Sequence, residues 1–370
     1  MDPDHPAGSQ AWAALLSSRG RPGPARRIPH AREVLDVAFA SGAFQVLVGA
    51  DGGPRCCAVA RVLALGQRGP GAQRTLARGL GGVVLGRLVA VGRGMLAALA
   101  DAVSLRLTQG RSGTSFGPLH RLTPRGVAPR SLMAASLPGS HTMLAWLAGS
   151  FAPQDTPTPE AVMVAAGDAS HVPGPPQTAV TLAAGHQAGQ LALAAGPRLT
   201  LAWIEDFTDN AGVYRSEVSV ETAGSGPAPV TFATDGMTAG GLSAAGDSHG
   251  NQILAWSSCD VTAACQVMAT TRTPHGSFGS PVALGAIDPG THPAAALSSD
   301  GAAFLGWISG GHVMIARGST TAGFGARQRL AGVGAAAGLT LAAGPGGRLL
   351  AAWADGSPRE TLEVSIYSAR

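Results

Sequence analysis

Four cysteines, ten histidines and twenty-two carboxylates are the side chains of this 370-residue chain that could do chemistry, and their spacing decides which kind. Cys259 and Cys265 stand in WSSCDVTAACQV, where five residues separate two stretches of strand pattern. Facing each other across an antiparallel hairpin, such residues bring their Cα atoms to about 4.5–5.5 Å, inside the roughly 4.4–6.8 Å a disulfide spans. A disulfide is expected there in preference to free thiols or a Zn site, because no His or further Cys sits at ligand spacing. Cys56 and Cys57 are neighbours on one strand and should place one side chain inside and one outside. Glu205, Asp206 and Asp209 open the loop EDFTDNAGVY. Three carboxylates so close could ligate Ca2+ through oxygen, with a solvated polar loop as the plainer expectation. Asp247-Ser248-His249, in GDSHGN, has the residue types of a catalytic triad. Triad members converge in space and not in sequence, however, and the composition is that of a turn. The histidines form no HxH or HExxH pair, and GLGGVVLG (79–86) lacks the strand-turn-helix context of a nucleotide loop, so no cofactor is expected.

What must position these groups is a chain with 53 glycines, 26 prolines, 45% apolar and only 13% charged residues, a balance suited to many short buried strands. All 26 basic residues are Arg. Residues 1–130 hold 17 Arg against 6 acids, and residues 131–370 hold 9 against 16, so the net +4 hides two opposite halves. The Arg are interspersed with Gly, Pro and Leu and lack neighbouring aromatics for base stacking, which argues against nucleic acid. The most apolar stretch, 80–100, carries Arg87 and Arg93 and five glycines, composition that excludes a membrane span. The first residues do not read as a secretory signal. The expected disulfide nevertheless points to an oxidising, extracytoplasmic setting.

Five tryptophans set the organisation: Trp146, Trp203, Trp256, Trp307 and Trp353, at spacings of 57, 53, 51 and 46 residues, each ending a strand of the form LAW, LGW or AAW. Each unit reads as an Ala/Gly-rich strand, a Gly/Pro turn, the Trp strand, a third alternating strand such as EVSVE, and a closing strand after a second Gly/Pro turn. Two earlier units carry Gly49 and Leu99 in place of Trp. Seven repeats of four antiparallel strands predict an all-β, seven-bladed β-propeller over residues 20–370, with small residues crowding the axis and the Trp filling the wedge between blades. Residues 1–19 read as an N-terminal tail with at most a turn or two of helix around Trp12. The last unit lacks its closing strand, and GRPGPARRIP (20–29) matches the closing segments elsewhere. These residues are expected to complete the last blade and close the ring.

The apolar-Ala-Trp strand endings resemble those of loosely defined bacterial β-propeller repeat proteins; no unit has the Gly-His start or Trp-Asp end of WD repeats, and SSDGAAFLGW departs from the Asp-box of sialidases. Arg27-Ile28-Pro29 resembles the Arg-Ile-Pro motif of sialidases, which implies a carboxylate-clamping Arg. A sialidase also needs a Tyr nucleophile, and only Tyr214 and Tyr367 exist. The reading that follows is a monomeric binding or scaffold propeller for a protein or glycan, rather than an enzyme. The alternatives are a sialidase-like glycosidase or lyase, or a degenerate copy without activity.

Overall fold

The structure, a computed structural model, describes residues 10–13, 26–28, 31, 33–51, 58–66, 69–80, 85–101, 104–112, 115–125, 129–148, 160–223, 230–233, 237–330, 336–355 and 361–368. Cys56 and Cys57 lie outside them. Seven sheets follow one another along the chain. Their inner strands are Glu33–Ala40, Leu85–Val91, Pro129–Leu137, Gln187–Ala194, Thr238–Gly246, Ala294–Leu297 and Ala336–Gly344. Each runs antiparallel to a second strand and that to a third, as in Thr238–Gly246, Gln252–Cys259 and Cys265–Arg272. Every inner strand lies beside that of the next sheet, and Ala336–Gly344 lies beside Glu33–Ala40. The chain is a seven-bladed β-propeller.

The expected wedges are visible one by one. Trp146 packs with Val89, Leu96 and Leu105 of the second blade, and Trp203 with Ala145, Leu147 and Val162 of the third. Trp256, Trp307 and Trp353 repeat the arrangement, each reaching back into the blade before its own. In the second blade Leu99, fully buried, joins Leu47 and Val62 of the first. Gly49 marks a different solution: a Cβ there would run into the Glu33 side chain, so the space is taken from the facing strand. The core between last and first blades is completed by Ile28, also fully buried, against Val37, Phe44, Leu350 and Ala352.

The inner strands carry a feature the repeat pattern did not announce. In blades one, three, four, five and seven the register with the second strand slips near the start, between Val34/Asp36, Pro129/Leu132, Ala188/Leu191, Gly240/Ser243 and Ala337/Leu339. Such bulges free backbone groups and re-aim side chains. Here polar side chains of one blade accept N–H groups of the next: Asp36 from Leu88 (2.7 Å), Ser131 from Leu191 (3.3 Å), Gln190 from Leu242 (2.8 Å) and Ser243 from Ala295 (3.0 Å). Diverging inner strands cannot form a ladder with each other, so these bonds satisfy donors that would otherwise be stranded.

At the chain ends the arrangement differs from the expected one. The neighbour of Thr361–Ser368 is Gln10–Ala13, paired in parallel, and Arg26–Ile28 pairs antiparallel to Gln10–Ala13 one place further out. Trp12 thus lies on a strand, not in a turn of helix. A bare sheet edge offers only N–H and C=O groups, and any extended segment can satisfy them, so a side-chain match could not single out which segment docks first.

Candidate functional site

The ring has two mouths. At one, inner strands turn into second strands; an axial cavity of about 490 Å3 opens there, walled by residues such as Phe39, Val89, Leu137, Gly196 and Leu297. Its carboxylate is Asp247, and that side chain is spoken for: it accepts the N–H groups of His249 and Asn251, both at 2.9 Å, and the Asn251 amide at 2.8 Å. His249 is turned out to solvent with Nδ1 3.8 Å from Asp247. The Asp247-Ser248-His249 run is a turn, as its composition indicated.

At the other mouth, where inner strands begin, polar side chains gather in the cleft between the third and fourth blades. Arg130 forms an ion pair with Glu160 at 2.5 Å, and Glu160 also accepts the Ala188 N–H at 2.8 Å. Two residues before Ala188, His186 stacks on Phe207 with ring centroids 4.3 Å apart and planes 5° from parallel, while its Nδ1 lies 2.6 Å from Glu205. Glu205 further accepts the Trp203 indole N–H at 3.0 Å and the Ser219 hydroxyl at 3.4 Å. The repeat Trp is therefore both wedge and donor in this blade. Antiparallel pairing explains the meeting: Ala188 lies opposite Glu205, so the turn before it delivers His186 to the same edge.

The three candidate Ca2+ ligands are not brought together. Glu205 and Asp206 alternate across the strand Thr200–Thr208, which sends them toward different neighbouring blades. Asp206 bonds the Tyr214 hydroxyl; burial first, and then that carboxylate, push the phenol up to about 12. Asp209 accepts the N–H groups of Ala211 and Val213, both at 2.9 Å, and Arg215 at 2.9 Å. These bonds, with the Val213 N–H foremost, hold its carboxyl below the usual range. Among the described residues no group of three or more His, Cys, Asp or Glu converges as a metal site.

Cys259 and Cys265 face each other in register and form the expected disulfide, with Cα atoms 4.0 Å apart, slightly closer than the general hairpin spacing. The turn they close has the frame seen at Asp209 and Asp247: Asp260 accepts the N–H groups of Thr262 (2.8 Å) and Ala264 (3.0 Å). Near the axis, Gln190 Nε2 approaches His292 Nε2 at 3.5 Å, and desolvation keeps His292 below the usual imidazole range. Arg27 pairs opposite Trp12, Ile28 is core, and Pro29 lies outside the described residues. Tyr367 lies on the third strand of the last blade, opposite Leu349. Arg130, Glu160, His186, Gln190 and His292 escaped the reading of the sequence, although the blade register would have placed His186 near Glu205.

No protein-family profile and no curated protein matches the chain by sequence. Solved structures do match in shape. A PL25 ulvan lyase, a polysaccharide lyase, superposes with a TM-score of 0.53 at 8% identity, covering 98% of this chain and 95% of its own. The BP39L lectin from Burkholderia pseudomallei gives 0.52 at 16%, covering 88% and 97%. The GH93 α-L-arabinofuranosidase of Fusarium graminearum gives 0.50 at 10%, covering 76% and 92%. At such identities the likeness is one of fold.

Proposed function

We propose that this propeller is a non-catalytic glycan-binding module whose ligand meets the strand-start mouth at blades three to five. One observation carries the reading: four carboxylates there are already engaged by protein donors, Glu160 by Arg130 and a backbone N–H, Glu205 by three side chains, Asp206 by Tyr214 and Asp209 by Arg215 and two N–H groups, which leaves Glu217, opposite Glu205, standing alone among the described ones. A glycosidase of the usual kind needs one carboxyl free to donate a proton and a second free to attack or activate water. The phenol of Tyr214, pushed up to about 12, is likewise the opposite of an activated nucleophile. What this mouth does offer is ring faces and fixed acceptors: Phe207, the His186 edge and Tyr214, about half exposed, beside carboxylates oriented by their partners. Sugars are held by that combination of flat apolar area and rigid hydrogen-bonding groups. Folds of this shape include a lectin as well as carbohydrate-active enzymes.

A glycan array followed by calorimetry tests the proposal. Binding of at least one oligosaccharide, weakened roughly tenfold or more by Tyr214→Ala with an unchanged melting curve, is expected, about 1.4 kcal/mol per tenfold. Turnover of a bound glycan, or binding indifferent to both Tyr214→Ala and Phe207→Ala, would sink it.

A further inference from the structure

At the hairpin mouth, away from the axis, a groove of about 800 Å3 runs between the second and third blades. It is built rather than incidental. Gln109, on the third strand of blade two, donates its amide to the Asp168 carbonyl of blade three at 3.0 Å, tying the two walls together. The blade-two hairpin turns at Gly92 with φ of 57°, where a Cβ would stand 3.0 Å from the Ser140 hydroxyl, so the tip that carries Arg93 is seated against blade three. Across the groove Asp168 accepts the N–H groups of Ser170 (2.6 Å) and His171 (2.8 Å), and the same carboxylate lies 3.2 Å from His171 Nδ1. That fixes the imidazole with Nε2 turned away from Asp168. His171 stands opposite Arg93 and His120, all three exposed.

The chemistry of this lining is one-sided. Among the described residues that line it, Arg93, His120, His171, Gln109 and Ser170 supply donors and none is Asp or Glu, while the nearby Asp168 carboxylate is engaged by Ser170 and His171. Its volume falls within the roughly 300–1,000 Å3 of small-molecule sites and far exceeds a bare inorganic anion. Among the described residues its walls hold no Phe, Tyr or Trp to stack a nucleobase. We propose that the groove is a second binding site, for a saccharide bearing a carboxylate or sulfate, with Arg93 holding the oxyanion and the two histidines bonding neighbouring oxygens. It is separate from the strand-start mouth and stands or falls without it.

Calorimetry on the full chain with four probes decides the matter: a galacturonate trisaccharide, a sulfated disaccharide, neutral maltotriose and inorganic sulfate. At least one anionic saccharide should bind ten times or more tighter than maltotriose. Arg93→Ala should weaken it about 10- to 100-fold, the range of a charge-assisted hydrogen bond, while Arg329→Ala, which removes an exposed guanidinium beside His312 on blade six, leaves it unchanged. A melting curve for Arg93→Ala that matches the wild type keeps the comparison fair. Equal affinity for maltotriose, affinity for plain sulfate as high as for the sulfated sugar, an Arg93→Ala variant that binds normally, or no binding at millimolar probe would each overturn the assignment.

Discussion

Five junctions of the ring are filled from within, by a Trp reaching back from each of blades three to seven, while the two junctions flanking the first blade are filled otherwise, by Leu99 on one side and by the borrowed Ile28 on the other. The difference teaches that the geometry demands volume and not a particular residue. A wedge between diverging sheets must be packed to protein density whatever supplies the atoms. It also shows where the ring depends on a distant part of the chain, because Ile28 reaches that core from a strand outside the first blade's own sheet.

The largest effect should come from attacking the borrowed filler. Deleting residues 1–30 removes Ile28 and bares the edge of Thr361–Ser368, and we expect loss of cooperative melting or association through that edge. A truncated chain that melts unchanged and stays monomeric, as size-exclusion chromatography would show, breaks the comparison at its weakest junction. Next come the fillers within blades. Trp203→Ala should cost about 3–5 kcal/mol and Leu99→Ala about 2–5 kcal/mol in denaturant unfolding, since both leave cavities in closed cores. A negligible loss at Leu99 would mean that the early junctions are loosely packed and the equivalence is false.

The smallest effect sharpens the comparison through the bridges between inner strands. Ser131, Gln190 and Ser243 accept their N–H as neutral groups, but between blades one and two the acceptor is Asp36. Desolvation raises the Asp36 carboxyl above 3.8 despite the Arg87 guanidinium and the Leu88 N–H. With the folded state holding the proton more tightly than the unfolded one, the stability contributed by this group is full below pH 3.8 and is lost as pH climbs through the raised value. Asp36→Asn keeps an acceptor and sheds the charge, so its Tm should exceed that of the wild type at pH 7 and converge with it below pH 3.8. Asp36→Ala strands the Leu88 donor and should cost about 1–3 kcal/mol. Asp36→Asn melting below the wild type at pH 7 would show that the Arg87 pairing outweighs burial.

The blades were legible because Trp is rare and large: one residue at nearly constant spacing betrays a repeated cavity. The disulfide was legible because two residues six apart around a turn have one sensible geometry. The bridging residues were not, since Ser131 and Gln190 lie within the register slip of their strands and Asp36 and Ser243 just after it, with no common position or side chain to reveal them. Nor was the groove at Arg93 and His171, which arises from the approach of two blades and has no contiguous trace. Glu205, Asp206 and Asp209 looked like one cluster because they are close in sequence, and strand alternation and a self-capping turn drew them apart.

The self-capping turn has a consequence for how such a surface can change. At Asp209, Asp247 and Asp260 one carboxylate holds the backbone of the residues that follow it, adding a side-chain bond only from Asn251 to Asp247 and from Thr262 to Asp260 within the turns, and it leaves the other side chains it encircles unbound. Val261, 94% exposed beside the disulfide, shows that even an apolar residue is accommodated there. Each such turn is a fixed frame around an interchangeable inscription, so mutation can rewrite the faces of the ring, position by position, while the blades that carry them stay as they are.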